Sequence, residues 1–123
     1  MNEPETIISV RDLGLSVGPK VIQQNVSFDL RRGSIFAVMG GSGCGKSTLL
    51  KSMIGLLRPT AGQILVGQED YWAQNDKRRT EINHRFGVLF QSAALWSSMT
   101  VGENVALPME MFTDLKPPII RRL

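Results

Sequence analysis

Cysteine, histidine and long apolar runs are all scarce in this chain of 123 residues. Its one cysteine, Cys44, excludes an intramolecular disulfide and suits a reducing compartment. Its one histidine, His84, lies near the end of a predicted helix, and no catalytic role is expected for it. The longest apolar run, residues 35–39, is far shorter than the ~20 residues of a membrane-spanning helix, and the N-terminus has no signal-peptide pattern. The chain is therefore expected to be soluble, or attached to a membrane through a partner.

Positive charge is too modest and too scattered to indicate a nucleic-acid-binding protein. The formal net charge is +3, and the basic clusters are residues 77–79 and 121–122. Aromatic residues, which could stack on bases, are sparse around both clusters. No nucleic-acid partner is therefore expected, and the two clusters are interpreted as solvated surface.

A glycine-rich stretch at residues 40–48, with the sequence GGSGCGKST, is the most informative part of the chain. It matches the phosphate-loop pattern G-x-x-x-x-G-K-S/T in full. The mostly apolar residues 34–39 before it predict a buried strand, and apolar residues at helical spacing after it predict a helix from near Lys46. A strand, a glycine-rich loop and a helix in this order form the setting in which the pattern binds phosphate. The alternative is a glycine-rich turn that carries a surface lysine.

The residue types in this stretch suit a nucleoside polyphosphate. Glycine allows the backbone to curl so that its N–H groups point toward the anion, and the helix N-terminus adds further donors and its dipole. Lys46 can place an ammonium on the β- and γ-phosphates, Ser47 can ligate Mg²⁺, and Thr48 can reach the α-phosphate. The predicted cofactor-binding residues are Gly40, Gly41, Ser42, Gly43, Cys44, Gly45, Lys46, Ser47 and Thr48.

The remainder of the chain alternates short strands and turns. Strands are predicted at residues 7–15, 21–30, 64–66 and 86–90, with an interruption at Gln24 and Asn25. The first two are expected to be antiparallel, because the turn between them is short. Tyr71 and Trp72 are expected to lie under a loop. A helix is predicted at residues 76–85, with Asp76 as its N-cap.

Gln91, at the end of the predicted strand 86–90, extends the pattern. It stands in LFQSAAL at residues 89–95 and is followed by TVGENVALP at residues 100–108. With the GLLRPTAGQI segment at residues 55–64, these motifs resemble the N-terminal half of an ATP-binding subunit of an ABC transporter. The resemblance covers the chain from Ile7 to about Pro108.

The resemblance implies an α/β fold with a P-loop NTPase core and an N-terminal antiparallel β-subdomain, incomplete at the C-terminus. Residues 1–123 would be a partial nucleotide-binding domain, which has the Walker A loop and the Q-loop but not the signature loop, Walker B carboxylates or switch histidine. Carried over to matching positions, the catalytic residues are Lys46 and Gln91, and the ligands of Mg²⁺ are Ser47 and Gln91. The implied cofactors are ATP and Mg²⁺.

The resemblance also implies partners and a location. The segment after Gln91, residues 92–108, would contact a membrane permease subunit, and a second ATP-binding subunit would complete a homodimer. The protein would be peripheral, on the cytoplasmic face of the inner membrane. ATP hydrolysis by the complete protein would power transport, whereas residues 1–123 alone are expected to bind nucleotide weakly and not to turn it over.

The transported substrate is less constrained by the motifs. The segment LFQSAALWSSMTVGENVALPM resembles the Mla-type subgroup that transports phospholipids, since Ser97 and Ser98 stand where many other subunits carry proline. Lipoprotein-release and small-solute ABC systems are alternatives, as is a non-hydrolysing nucleotide-binding or interaction fragment. A GTPase is disfavoured because no N-K-x-D motif occurs, and a small-molecule kinase because antiparallel strands precede the loop. The family resembled often stacks adenine on an aromatic residue near the end of the first strand. The nearby positions here are Leu15 and Val17, which offer apolar contact but no ring.

Overall fold

The computed structural model describes residues 4–92 and 94–122. The chain forms two compact units, of which the first ends at Phe86 and the second begins at Gly87. Within the described residues, no helix combines the length and the apolar character needed to cross a bilayer.

The first unit contains the strands β1 Thr6–Val17, β2 Lys20–Arg31, β3 Ala61–Val66 and β4 Glu69–Asp70. They form an antiparallel sheet in the order β2-β1-β3-β4. Helix α1, Lys46–Met53, follows the glycine-rich stretch, and a 3-10 turn, Tyr71–Ala73, and helix α2, Asp76–Asn83, follow the sheet. The predicted antiparallel hairpin of the first two strands is confirmed.

Apolar residues on one face of the sheet form the core beneath α1. Val10, Leu13 and Leu15 from β1 are fully buried together with Ile64 from β3, and Leu49 brings α1 onto them. This packing seats the start of α1, and hence the glycine-rich stretch before it, on the sheet.

A second cluster lies at the β3 and β4 side of the sheet. Val66, Tyr71 and Ile82 are buried there, and Trp72 meets Tyr71 edge to face with ring centroids 5.3 Å apart. The indole N–H of Trp72 donates to the Ser52 carbonyl at 3.2 Å, which ties the 3-10 turn to α1. Both side chains were expected to lie under a loop; Tyr71 is buried in this cluster, and Trp72 is half-buried.

The predicted interruption of the second strand is a bulge rather than a break. Strand β2 continues through Gln24 and Asn25, and Asn25 has a φ of 53°. Pairing with β1 steps from Leu13↔Val26 to Leu15↔Gln23, so the extra residue lies on β2.

The predicted strand at residues 34–39 is not formed. Ile35 and Met39 are 100% and 90% exposed, and residues 35–39 make no backbone hydrogen bond to any described residue. Phe36 does contact the sheet, since its ring stacks on that of Phe28 in β2 with centroids 4.9 Å apart. An apolar run becomes a strand only where a neighbour pairs with its N–H and C=O groups. The predicted strand at residues 86–90 is absent for the same reason.

The predicted cap of helix α2 is also wrong by one residue. Asn75, not Asp76, is the N-cap, and its side-chain oxygen accepts from the Arg78 N–H at 2.9 Å. Asp76 is the first helical residue and pairs with Arg79 instead. The two positions differ because the cap must be extended, and Asn75 has that backbone conformation.

The second unit contains helix α3, Val101–Phe112, and the short helix α4, Pro117–Ile120. The sequence interpretation treated the start of this region as surface and did not predict α3. Its signal is the capping box T-V-G-E: the Thr100 hydroxyl accepts from the Glu103 N–H at 3.3 Å, and the Glu103 carboxylate accepts from the Thr100 N–H at 2.7 Å.

This capping box predicts that the first turn of α3 is sensitive to acid. The Thr100 backbone N–H, and then its hydroxyl, hydrogen-bond to the carboxylate and hold the pKa of Glu103 below its ordinary value of 4.5. A depressed folded-state pKa gives stabilisation that is complete above pH 4.5 and is lost as the pH falls through the lower folded-state pKa. An NMR titration of the Glu103 carboxyl should therefore have its midpoint below 4.5.

The control for this titration is Glu103→Gln, which keeps the side-chain shape and removes the titrating group. In this variant the Thr100 amide resonance should lose its acid transition. A Glu103 midpoint at or above pH 4.5 would contradict the capping interaction.

Candidate functional site

The predicted phosphate loop leads directly into α1. Gly45 is the N-cap residue of α1, has a φ of 100°, and provides no side-chain cap. Leu49 is the first residue whose N–H finds a helical acceptor, the Gly45 carbonyl at 2.9 Å. The N–H groups of residues 45–48 therefore donate to no described residue. Four free donors at a helix N-terminus form an arrangement that can bind an anion.

Two glycines in the loop stand where a side chain would not fit. A Cβ on Gly45 would lie 2.5 Å from Ile22 Cγ2 of β2, and a Cβ on Gly40 would lie 2.6 Å from Cys44 Sγ. Gly45, at the end of the loop, thus packs against β2, and Gly40, at its start, packs against the side chain of Cys44.

Lys46 is folded back over the start of the loop. Its Nζ donates to the carbonyls of Gly40 and Gly41, both at 2.7 Å, and lies 3.6 Å from Cys44 Sγ. The ammonium is therefore held beside the glycine backbone that is predicted to surround phosphate. A phosphate oxygen is a stronger acceptor than a carbonyl, because it carries charge.

Ser47, one of the two residues predicted to ligate Mg²⁺, has its hydroxyl available. Ser47 is exposed, and its hydroxyl makes no hydrogen bond to the described residues, so this hard oxygen ligand is available. In the part of the chain that the structure describes, no group of three His, Cys, Asp or Glu side chains could hold a metal ion. The donor set fits an ion that is carried largely by phosphate and water oxygens, as is usual for Mg²⁺.

Gln91 lies in the second unit, at an exposed turn after residues 86–90. Its side chain makes no hydrogen bond to any described residue, so both its carbonyl and its amide are available. The predicted position at a strand end is not found, because residues 86–90 form no strand. The role of Gln91 stays a prediction.

Of the two positions considered for adenine contact, one is excluded. Leu15 is fully buried in the core of the sheet and cannot meet a ligand. Val17, at the end of β1, is 54% exposed and remains accessible.

Asn104 is a structural residue of the second unit that the sequence interpretation missed. Its Oδ1 accepts from the Trp96 N–H at 2.8 Å. Its Nδ2 donates to the carbonyls of Trp96, Met99 and Thr100 at 3.1, 3.2 and 2.9 Å. One side chain thus stabilises the loop that precedes α3. No pattern in the sequence marks it, since an asparagine in the first turns of a helix is common at the surface.

Comparison with known proteins identifies the family. Residues 23–120 match the ABC transporter family. The chain belongs to this family. The match includes the predicted phosphate loop, α1, Gln91 and α3, so it spans both units of this ABC domain.

Two curated relatives support this assignment. The chain is 37% identical over 119 residues to an intermembrane phospholipid transport system ATP-binding protein, MlaF, of Haemophilus influenzae, covering 97% of this chain and 45% of that protein. It is 42% identical over 114 residues to a probable ribonucleotide transport ATP-binding protein, mkl, of Mycobacterium leprae, covering 93% of this chain and 33% of that protein. The chain thus spans less than half the length of these two relatives, and both are named as ATP-binding components of transport systems.

A solved structure supports the fold. The ATP-binding cassette MJ0796, determined as a dimer in a post-hydrolysis state bound to ADP and Pi, matches with a TM-score of 0.82 and 25% identity. The match covers 94% of this chain and 53% of that one. The predicted ABC ATPase fold, with an antiparallel β-subdomain, is therefore confirmed, and the matched region is about half of a cassette.

Proposed function

We propose that this ABC domain binds MgATP through residues 40–48. The observation that carries the proposal is the pairing of four free N–H donors at the start of α1 with the Lys46 ammonium, which lies against the Gly40 and Gly41 carbonyls. Backbone donors, a helix N-terminus and a mobile cation match the high charge of a polyphosphate. In the complex, Lys46 meets the β- and γ-phosphates and Thr48 the α-phosphate.

Ser47 supplies a protein ligand to Mg²⁺ in this proposal. The roles predicted for Gln91, as a ligand of Mg²⁺ and a contact for the attacking water, are kept as a proposal for the complete cassette. Bound Mg²⁺ would neutralise charge on the phosphate oxygens. Phosphoryl transfer depends mainly on positioning and electrostatic stabilisation. Residues 1–123 contribute the loop, Lys46, Ser47 and Gln91 to that task. The carboxylate that would polarise water is not among their motifs, so hydrolysis is assigned to the longer protein.

We further propose that residues 92–108 contact a membrane permease subunit, and that two ATP-binding subunits pair as a homodimer at the cytoplasmic face of the inner membrane. Support comes from the exposed apolar side chains of this region: Trp96, Val101 and Val105 are 63%, 75% and 61% exposed.

Phospholipids or related lipids are the proposed substrate of the transporter. The MlaF relative and the residues around Ser97 and Ser98 favour them. Ribonucleotides are the second candidate, because the mkl relative shares 42% identity with this chain.

Selective alkylation tests the nucleotide site. Cys44 is exposed, is the only cysteine, and has its Sγ 3.6 Å from Lys46 Nζ, so a thiol reagent reacts inside the loop. MgATP and MgADP should slow alkylation several-fold, whereas AMP, which lacks the β-phosphate, should not. Complete alkylation should abolish binding of MgATP.

The control is Cys44→Ser, which keeps a small polar side chain and should bind MgATP while resisting the reagent. If fully alkylated protein binds MgATP as well as untreated protein does, phosphate does not occupy this loop.

A further inference from the structure

One side chain of the sheet is hydrogen-bonded to the phosphate loop within the described residues. Gln23 of β2 donates its Nε2–H to the Cys44 carbonyl at 3.2 Å. Gln23 pairs across the hairpin with Leu15, so it projects from the same face of the sheet as that fully buried residue. A polar side chain therefore reaches the loop from the core side of the sheet.

The bond falls at the point where the loop becomes a helix. A Cβ on Gly45 would lie 2.5 Å from Ile22 Cγ2 and 3.1 Å from Gln23 Nε2, so the Cys44–Gly45 peptide rests on these two residues. In a trans peptide the C=O and the N–H point in opposite directions. Holding the Cys44 carbonyl toward β2 thus turns the Gly45 N–H away from the sheet, where it remains free to donate to a ligand.

The side-chain oxygen of Gln23 adds no hydrogen bond to the described part of the fold. Its Oε1 is buried and accepts no hydrogen bond from the described residues. An unsatisfied buried acceptor is destabilising, and an apolar side chain of the same length would avoid that cost. The amide at this position is therefore better explained by its bond to the loop than by the stability of the sheet.

We infer that Gln23 is a positioning residue for phosphate binding: it orients the Cys44–Gly45 peptide so that the Gly45 N–H faces the anion. This inference rests on the proposed function. Lys46 Nζ bonds to the Gly40 and Gly41 carbonyls and lies 3.6 Å from Cys44 Sγ, and among the described side chains Gln23 is the one that bonds to the Cys44 carbonyl.

The test compares two variants of nearly the same shape with a matched control. Gln23→Met removes the donor, and Gln23→Glu replaces it with a carboxylate that repels the Cys44 carbonyl. Gln24→Met is the control, since Gln24 is the exposed neighbour on the same strand. MgADP binding should weaken by about three- to tenfold in Gln23→Met, more in Gln23→Glu, and not in Gln24→Met. Gln23→Met should unfold at the same or a higher temperature than the unmodified chain.

Two measurements without nucleotide keep the inference separate from the proposed function. The Gly45 amide resonance should shift, and the rate of Cys44 alkylation should change, in both Gln23 variants but not in Gln24→Met. If the unmodified chain does not bind MgADP, the proposed function fails, and these two readouts still decide whether Gln23 orients the peptide. Unchanged resonance and alkylation rate overturn the inference. So does unchanged MgADP affinity in a chain that binds it.

Discussion

Lys46→Ala is expected to weaken MgATP binding by about 10- to 100-fold, the effect of losing a hydrogen bond to a charged group. The ammonium lies 2.7 Å from the Gly40 and Gly41 carbonyls, so it is already beside the backbone that would surround the β- and γ-phosphates. Its removal takes away the one side-chain cation of the loop sequence. Isothermal titration of the purified chain with MgATP measures the change.

Lys51→Ala is the matched control for this prediction. Lys51 carries the same charge in the last turn of α1, is exposed, and lies outside the loop. Its replacement should change MgATP affinity by less than about twofold, because its exposed charge is weakened by solvent and salt and its side chain donates no hydrogen bond to the described residues of the loop. An equal loss of MgATP affinity in the two variants would mean that Lys46 acts only through the net positive charge of the chain and not through contact with phosphate. An unchanged affinity in Lys46→Ala would remove the loop from the proposed site.

Gly62→Ala is expected to lower the free energy of unfolding by about 3 kcal/mol. Gly62 has a φ of 79° and lies between Ala61 and Gln63, which pair with Gly14 and Arg11 of β1. An added Cβ would lie 2.4 Å from the carbonyl oxygens of both Arg11 and Asp12. These contacts are with backbone, which cannot turn aside as a side chain could. The neighbouring Asp12 has a φ of 47°, so the strand is already irregular where it would have to yield. Urea unfolding followed by circular dichroism measures the loss.

Gly67→Ala separates steric contact from backbone conformation. Gly67 has a φ of 64°, similar to that of Gly62, but nothing lies within 4 Å of its added Cβ. Gly67→Ala should therefore lower the free energy of unfolding only by the ~1–2 kcal/mol of a left-handed backbone conformation. The difference between the two variants is the cost of the contact with β1. Equal losses would show that β1 relaxes freely at Arg11 and Asp12.

Local sequence patterns were sufficient for two elements whose structure depends on near neighbours. The phosphate-loop pattern and the apolar spacing after it predicted α1 to begin near Lys46, and it begins there. The short turn after Val17 predicted the antiparallel hairpin, which is confirmed. Both results follow from backbone geometry over a few residues, which the residue types specify directly.

Strand formation at residues 35–39 could not be decided in this way. Their apolar run predicted a buried strand, yet Ile35 is fully exposed and the segment has no backbone partner among the described residues. An extended apolar segment becomes a strand only when another segment supplies its hydrogen bonds, and the run itself does not specify where in the chain that partner lies.

By itself, the sequence determined the family, α1 and the antiparallel hairpin, because each depends on residue types at fixed short spacings. The phosphate-binding role of residues 40–48 stays a prediction. Only the tertiary structure decided that Gln23 bonds to the Cys44 carbonyl, that Leu15 is buried while Val17 is accessible, and that Asn104 stabilises the loop before α3. Gln23 and Cys44 are 21 residues apart. Contacts over such separations depend on how strands and helices pack against one another, and a single sequence carries no local signal for that packing.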